Sequence, residues 1–122
     1  MLQGSFYTYS TTNTEGQFSV TFNAQHPIFK AHFPGKPVVP GVCLMQICKE
    51  LAELHCGKKM NIKTARNIKF LQMLSPNTHP TVQFSLNAER SENDAQIAIR
   101  AVVSLGELIF SKLQITLQPQ IK

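Results

Sequence analysis

Most of the chain alternates between apolar and polar residues, which is the period-two pattern of a strand with one buried face. The clearest early example is Gln17–Phe22, where every second residue is a large apolar one. A strand is also predicted before it, over residues 5–12, with a turn at residues 13–16 between the two. The same pattern predicts four further strands, over residues 65–74, 81–88, 95–103 and 108–118.

One segment, residues 42–56, has a helical period instead. Its polar side chains recur at i, i+3, i+4 and i+7 and form one narrow stripe, made of Gln46, Lys49, Glu50 and Glu53. Apolar residues cover the rest of the circumference, so we expect a buried helix that ends at Gly57. One buried helix with five or six mostly antiparallel strands predicts an α+β fold in which the sheet wraps around the helix.

Composition narrows the class of protein. The chain has 122 residues, enough for one domain over residues 1–122, and its 43% hydrophobic and 16% charged residues are typical of a globular domain. No apolar run reaches the length of a membrane span, and the first residues carry neither the basic start nor the apolar core of an export signal. The three cysteines lack metal-ligand spacing and are expected to be reduced thiols. We therefore expect a cytoplasmic protein that does not insert into membranes.

Residues 23–41 carry the candidate chemistry. This segment contains four of the seven prolines, and it leads directly into the predicted helix. Proline fixes φ and restricts the residue before it, so we expect a rigid, shaped loop. The first amides of the helix, near Gly41 and Val42, have no intrahelical acceptor and lie at the positive end of the helix dipole.

The end of this loop carries a specific motif. Residues 32–42 read His-Phe-Pro-Gly-Lys-Pro-Val-Val-Pro-Gly-Val. This run, followed by a helix, resembles the β-hydroxyacyl-(acyl carrier protein) dehydratases of hot-dog fold, and the order of the predicted strands is similar as well. The chain looks most like the compact stand-alone relatives found beside specialised lipid and polyene pathways. The resemblance implies a dimer with an acyl tunnel at the interface, and a reaction without a cofactor.

The resemblance also implies an active site. His32 is expected to remove the C2 proton of a 3-hydroxyacyl thioester carried by acyl carrier protein or coenzyme A, and the first helix amides to polarise the thioester carbonyl. The residues expected to bind the substrate are Phe33, Pro34, Gly35, Pro40, Gly41 and Val42.

The position of the family's acid is occupied differently in this chain. Fourteen residues after His32, where the family has Glu or Asp, stands Gln46, and glutamine cannot donate a proton as an acid. Glu50 lies one turn further on the same stripe, where the family commonly has glutamine. Our hypothesis is that Glu50 takes over part of the acid's role, or that a bound water does. A solvated helix face is the alternative for both residues.

The remaining histidines and the helix cysteines are assigned simpler roles. His26 is expected to have a surface or capping role, and His55 and His79 to be exposed. Cys43 and Cys48 fall at apolar helix positions and are expected to pack in the core. No cluster has the spacing of metal ligands, and no phosphate-binding glycine loop is evident, so neither a metal nor a cofactor is predicted.

The net charge of +5 is concentrated in one stretch. Five of the twelve basic residues are Lys58, Lys59, Lys63, Arg66 and Lys69. A solvated surface would explain them. The alternative is a docking surface for the acidic acyl carrier protein. Nucleic-acid binding is not predicted, because no aromatic residues are interleaved with the lysines.

The predicted function is dehydration of a 3-hydroxyacyl thioester to the trans-2-enoyl thioester, in fatty-acid or specialised acyl-chain synthesis. Two alternatives remain open. One is a hot-dog thioesterase, in which a polar helix residue positions water against the thioester carbonyl. The other is a non-catalytic acyl-binding subunit, active beside a second chain that supplies the missing acid. Gln46 is the feature that favours the second alternative.

Overall fold

Six strands and two helices form within residues 2–31, 35, 37–91 and 95–120, the part of the chain that the computed structural model describes. They are β1 (Tyr7–Thr11), β2 (Gln17–Phe22), α1 (Ile28–Ala31), α2 (Gly41–Cys56), β3 (Met60–Phe70), β4 (Thr81–Arg90), β5 (Ile97–Leu105) and β6 (Leu108–Pro119). The strands make one antiparallel sheet in the order β1-β2-β4-β5-β6-β3, so that β1 and β3 are its edges. Helix α2 packs against the sheet. This confirms the predicted α+β, hot-dog architecture.

Most predicted strands are confirmed with small shifts at their ends. Gln17–Phe22 is confirmed residue for residue as β2. β1 begins at Tyr7 instead of residue 5 because the preceding residues form a turn, in which the Phe6 amide donates to the Leu2 carbonyl. The ends of β4, β5 and β6 differ from the prediction by one or two residues.

The prediction for β3 is wrong at both ends. The strand covers Met60–Phe70 instead of residues 65–74. Two register shifts against β6 interrupt its alternation, which explains why its period is weak in the sequence. Residues 71 and 72 leave the strand because both of their amides donate to the Phe110 carbonyl.

Helix α2 agrees with its prediction, beginning one residue earlier at Gly41 and ending at Cys56. Gly57 follows in the left-handed conformation, with φ 74°, and its amide donates to the Glu53 carbonyl at 2.8 Å. The apolar circumference is only partly buried, however. The side chains of Val42 and Leu54 are 73% and 48% exposed, so the predicted buried helix is exposed near its two ends.

The loop before α2 contains one short helix, α1, that the sequence pattern did not predict. The Nδ1 atom of His26 accepts a hydrogen bond from the Ile28 amide at 3.1 Å, which confirms the predicted capping role of His26. Phe29 of α1 is buried and stacks on Phe6, with ring centroids 5.0 Å apart. This turn therefore anchors the start of the loop to the core.

The core lies between α2 and the inner face of the sheet. The helix contributes Ile47, Cys48 and Leu51, which are completely buried. Cys43 is also buried, so the expected packing role of both helix cysteines is confirmed. Burial raises the pKa of the Cys43 thiol, and that of Cys48 to about 12, so both stay protonated near neutral pH.

Within the described ranges, no helix is long and apolar enough to cross a membrane.

Candidate active site

A buried carboxylate lies on the polar stripe of α2. Glu50 is only 4% exposed. Its Oε1 accepts hydrogen bonds from the Gln3 amide at 2.9 Å and from the Tyr7 hydroxyl at 3.0 Å. Its Oε2 accepts from the Leu2 amide at 2.8 Å and from Nε2 of Gln46 at 2.7 Å. The alternative of a solvated helix face is therefore wrong for Glu50.

The four donors keep this carboxylate ionised. Burial by itself raises the pKa of Glu50, but the hydrogen bonds from Leu2, Gln46, Gln3 and Tyr7 outweigh burial and hold the pKa below its usual value. Burial and the neighbouring Glu50 charge raise the pKa of Tyr7, so its hydroxyl keeps its proton and remains a donor. A carboxylate has about four acceptor positions, and here each oxygen accepts two hydrogen bonds.

This contact determines how the Gln46 amide is oriented. An ionised carboxylate only accepts hydrogen bonds, so the Gln46 nitrogen, and not its oxygen, must face Glu50. The side chain of Gln46 is half-buried, and its Oε1 has no hydrogen-bond partner within the described ranges. Gln46 therefore offers a free carbonyl oxygen on the side away from Glu50.

The start of α2 has the free amides that the sequence predicts. The Pro40 carbonyl accepts hydrogen bonds from the amides of Cys43 at 3.0 Å and Leu44 at 3.2 Å, while Pro40 itself provides no side-chain cap. Among the described residues, the amides of Gly41 and Val42 have no backbone partner. At 1.5 Å per residue, Gln46 lies roughly 7 Å along the helix from Gly41.

The space beside Gly41 is occupied by a side chain. A Cβ atom at this position would meet the ring of Phe70, the last residue of β3. In the single chain, the space beside the Gly41 backbone is therefore filled by the Phe70 ring. Phe70 and the 70% exposed Met73 line an apolar cleft of about 300 Å³ together with Gly41 and Leu44.

The central part of the motif lies outside the described part of the chain. The predicted site residues that lie outside the described part of the chain are His32, Phe33 and Pro34. Their roles remain predictions. Gly35 is exposed with φ 86°, a conformation that favours glycine. Of the predicted site residues, the structure brings Gln46 and Glu50 into direct contact and groups Pro40, Gly41 and Val42 at the start of the same helix.

The five basic residues of the predicted docking surface are all exposed, and they are not one patch. Lys58 and Lys59 follow the end of α2 and line a cleft of about 260 Å³ together with Glu50 and Glu53. Lys63 lies at the first register shift of β3.

The other two basic residues belong to the outer face of the sheet. Arg66 is paired with Gln114 of β6, and Gln114 is paired in turn with Arg100 of β5. Lys69 is paired with Lys112 in a neighbouring row. These four cations form what we call the outer-face cluster, which consists of Arg66, Lys69, Arg100 and Lys112.

Two histidine predictions have different outcomes. His55 is exposed as expected, with Nε2 3.7 Å from Glu15. His79 was expected to be exposed and is half-buried, because its ring packs edge-on against Phe110 with centroids 5.1 Å apart. A turn places it there, since the His79 amide donates to the Ser75 carbonyl.

Sequence reasoning missed the donors that surround Glu50. Tyr7, Leu2 and Gln3 lie 43 to 48 positions away from it along the chain. Two of them act through backbone amides, for which side-chain patterns carry no signal. Tyr7 shares its alternating strand with Tyr9, and nothing local distinguishes the two.

Comparison with known proteins identifies similar sequences. A family model described as ApeI-like, ApeI dehydratase, matches residues 8–106. The chain is 37% identical over 68 residues to a 3-hydroxyacyl-[acyl-carrier-protein] dehydratase FabZ of Clostridium acetobutylicum, covering 50% of this chain and 47% of that protein. It is 32% identical over 117 residues to the protein of the same description from Chlamydia trachomatis, covering 85% and 75%. The chain thus spans about half the length of the first relative and three quarters of the second.

Solved structures with the same fold are more distant in sequence. The dehydratase heterocomplex ApeI:P from Xenorhabdus doucetiae aligns with a TM-score of 0.62 and 16% identity, over 95% of this chain and 99% of that chain. The virulence protein Cj0977 from Campylobacter jejuni aligns with a TM-score of 0.69 and 9% identity, over 97% and 86%. At this level of identity the two structures show the shared fold alone.

Proposed function

Because the chain belongs to the ApeI-like dehydratase family, we propose that it removes water from a 3-hydroxyacyl thioester and releases the trans-2-enoyl thioester, in fatty-acid or specialised acyl-chain synthesis. The observation that carries the proposal is the start of α2, where the family motif ends at Gly41 and Val42, whose amides have no backbone partner within the described ranges. Gln46 follows roughly 7 Å further along the same helix. In this reaction His32 takes the C2 proton, and the amides of Gly41 and Val42 bind the thioester oxygen as negative charge develops on it. The C3–O bond then breaks and the hydroxyl leaves as water.

Protonation of the leaving hydroxyl is the step that Gln46 cannot perform. Of the two hypotheses for the acid, the contacts of Glu50 favour the bound water, which gives a proton to the leaving hydroxyl and regains one from the protonated His32. The pKa of Glu50 is held below its usual value, and its acceptor positions are occupied by Leu2, Gln3, Tyr7 and Gln46. Glu50 therefore has no proton to give near neutral pH. A positioned general acid contributes about 10²–10⁴-fold in rate, so we expect turnover below that of relatives with the acid in place.

The first experiment measures cleavage of the C3–O bond, which gives the enoyl product, and cleavage of the thioester bond, which gives free thiol. Purified protein is given a 3-hydroxyacyl thioester on acyl carrier protein, and the conjugated enoyl product and free thiol are followed together. We expect enoyl product without free thiol, and a loss of about 10²–10⁴-fold in the His32→Ala variant. His55→Ala is the matched control, because His55 is exposed and lies in the last turn of α2, about 20 Å along the helix from Gly41. Free thiol without enoyl product would indicate the thioesterase alternative instead.

A partner-dependent subunit is the second candidate, and Gln46 favours it. The structural neighbour from Xenorhabdus doucetiae is described as a dehydratase heterocomplex, which makes a two-chain arrangement relevant here. If this candidate is correct, the isolated protein binds acyl carrier protein without turnover, and Gln46→Glu alone produces activity. Nε2 of Gln46 and Oε2 of Glu50 are 2.7 Å apart, so Gln46→Glu would place a second carboxylate against Glu50. The two carboxylates would share a proton, which raises the pKa of one of them strongly and creates an acid. Dehydration by the unmodified protein at a rate typical of the family would exclude this candidate.

We also propose that the protein forms a dimer through β3. This strand is an edge of the sheet, so one side of its backbone has no ladder partner within the described chain. The exposed apolar side chains of Phe70 and Met73 lie at its end. Light scattering should give twice the chain mass, and Met73→Glu, which places a charge among the exposed apolar side chains beside the end of β3, should shift the measured mass toward that of a single chain. A monomer at micromolar concentration would contradict the dimer.

Docking of acyl carrier protein is assigned to the basic residues predicted from the sequence. Four of them form two separate groups, which charge reversal can distinguish: Lys58→Glu with Lys59→Glu for the cleft at the end of α2, and Arg66→Glu with Lys69→Glu for the outer-face cluster. The variant of the docking group should raise KM for the carrier-bound substrate and leave KM for a small pantetheine thioester unchanged. If neither variant changes KM for the carrier-bound substrate, the basic residues are a solvated surface and not a docking site.

A further inference from the structure

We propose that Glu50 is a positioning residue that fixes the Gln46 amide with its carbonyl oxygen toward the ligand, so that the site selects a 3-hydroxyacyl thioester over the 3-oxoacyl thioester of the same length. The inference rests on the proposed function, because it takes Gln46 as part of the acyl site. It concerns specificity and not proton transfer.

The orientation of Gln46 is chosen by chemistry. A free glutamine amide can rotate and present either its NH₂ group or its oxygen. Here Nε2 donates to the ionised Glu50 carboxylate at 2.7 Å, and the reversed amide would place two acceptors against each other. Only one orientation is therefore favourable, and it leaves Oε1 without a partner within the described ranges.

The carboxylate that imposes this orientation is itself held in place. Leu2 and Gln3 donate to it through their backbone amides and Tyr7 through its hydroxyl. These contacts come from the turn before β1 and from β1 itself, so Glu50 is tied to the sheet as well as to its own helix. A rotation of the carboxylate away from Gln46 would break three other hydrogen bonds.

A fixed carbonyl oxygen distinguishes two substituents at C3 of an acyl chain. A 3-hydroxyl group donates a hydrogen bond to Oε1 of Gln46. A 3-oxo group has no proton to donate, and its oxygen would face another acceptor. When the 3-oxoacyl thioester binds, the partly desolvated Oε1 of Gln46 has no donor, and this costs binding free energy. We therefore expect the 3-hydroxyacyl thioester to bind about tenfold more tightly than the 3-oxoacyl thioester.

The test compares equilibrium binding of two pantetheine thioesters of one chain length, 3-hydroxyacyl and 3-oxoacyl, in a His32→Ala background that prevents turnover. In Glu50→Gln the new carboxamide can either accept from Nε2 or donate to Oε1 of Gln46, so the orientation of the Gln46 amide is no longer fixed. We expect the preference to fall from about tenfold toward one. An unchanged preference in Glu50→Gln would overturn the proposal.

Tyr7→Phe is the matched control. It removes one hydrogen bond from Glu50 and leaves the contact with Gln46 intact. A merely structural role of Glu50 predicts that both variants change binding in the same way, whereas the proposal predicts that only Glu50→Gln changes the preference. An equal loss of preference in Tyr7→Phe would therefore contradict it.

A second variant keeps the test decisive if Glu50→Gln does not fold. Gln46→Met has similar length and no polar atom to orient, and position 46 is only half-buried. We expect its preference to be about one, and a retained preference would overturn the inference.

Dehydration by the unmodified protein is measured separately, so the two proposals can fail separately. If the protein dehydrates its substrate but binds the two thioesters equally well, only the inference about Gln46 is overturned. If it prefers the 3-hydroxyacyl thioester but does not dehydrate it, the inference is supported for an acyl-binding subunit. Failure of both thioesters to bind overturns the inference, whatever the turnover.

Discussion

Removal of the Tyr7 hydroxyl tests whether Glu50 is held as an ionised group. Tyr7→Phe deletes the 3.0 Å hydrogen bond to Oε1 and keeps the buried ring, so no cavity larger than the hydroxyl arises. A hydrogen bond to a charged group contributes about 1.5–3 kcal/mol, so we expect the free energy of unfolding to fall by about 2 kcal/mol at neutral pH. With an m-value of about 1–3 kcal/mol/M in urea, the midpoint moves down by roughly 1 M.

The loss should depend on pH in a defined direction. The pKa of Glu50 is lowered in the folded protein, so the stability it contributes is fully present above the unfolded-state pKa of about 4.3 and is lost as the pH falls through the lower folded-state pKa. Without the Tyr7 hydrogen bond, the folded-state pKa rises toward its usual value. The difference between the two proteins is therefore largest at neutral pH and becomes smaller in acid.

Urea unfolding at equal protein concentration, near pH 7 and in steps below pH 5, measures this difference. Tyr9→Phe is the control, because the half-buried Tyr9 hydroxyl has no hydrogen bond within the described ranges; we expect a change within about 0.5 kcal/mol. The reasoning is refuted if Tyr7→Phe and Tyr9→Phe lose the same stability, or if the Tyr7→Phe loss is the same at every pH.

Two further outcomes test the fold. Gly16 has φ 78°, and a Cβ there would meet the Leu86 carbonyl oxygen, so Gly16→Ala should lower the free energy of unfolding by about 3 kcal/mol. The control is Gly106→Ala, where φ is 59° and the space is open, and we expect a loss of about 1 kcal/mol. Equal urea midpoints for the two variants would contradict this. In the folded protein Ellman's reagent should label the half-buried Cys56 first, while Cys48, with its pKa raised to about 12 by burial, should react only after unfolding; fast labelling of Cys48 would contradict its burial.

The sequence determined the number and type of the main elements. Alternation is readable because β2, β4, β5 and β6 each have one face on the core, and a period of two records which face is buried. Gly57 marked the end of α2 because it adopts the left-handed conformation there. The weak point was β3, where an edge position and two register shifts remove the regular exposure that the pattern depends on.

The site was predictable only in part. The motif and the helical spacing placed Gln46 and Glu50 on one face, because residues four apart are neighbours on any helix. Only the tertiary structure decided that Glu50 is buried, ionised and bound by Leu2, Gln3 and Tyr7, since these groups approach from another element. The outer-face cluster arose in the same way, because β3, which carries Arg66 and Lys69, pairs with β6, a strand distant from it in sequence. A residue pattern records the environment of each side chain along its own element, whereas the partner that fills this environment depends on how the elements pack.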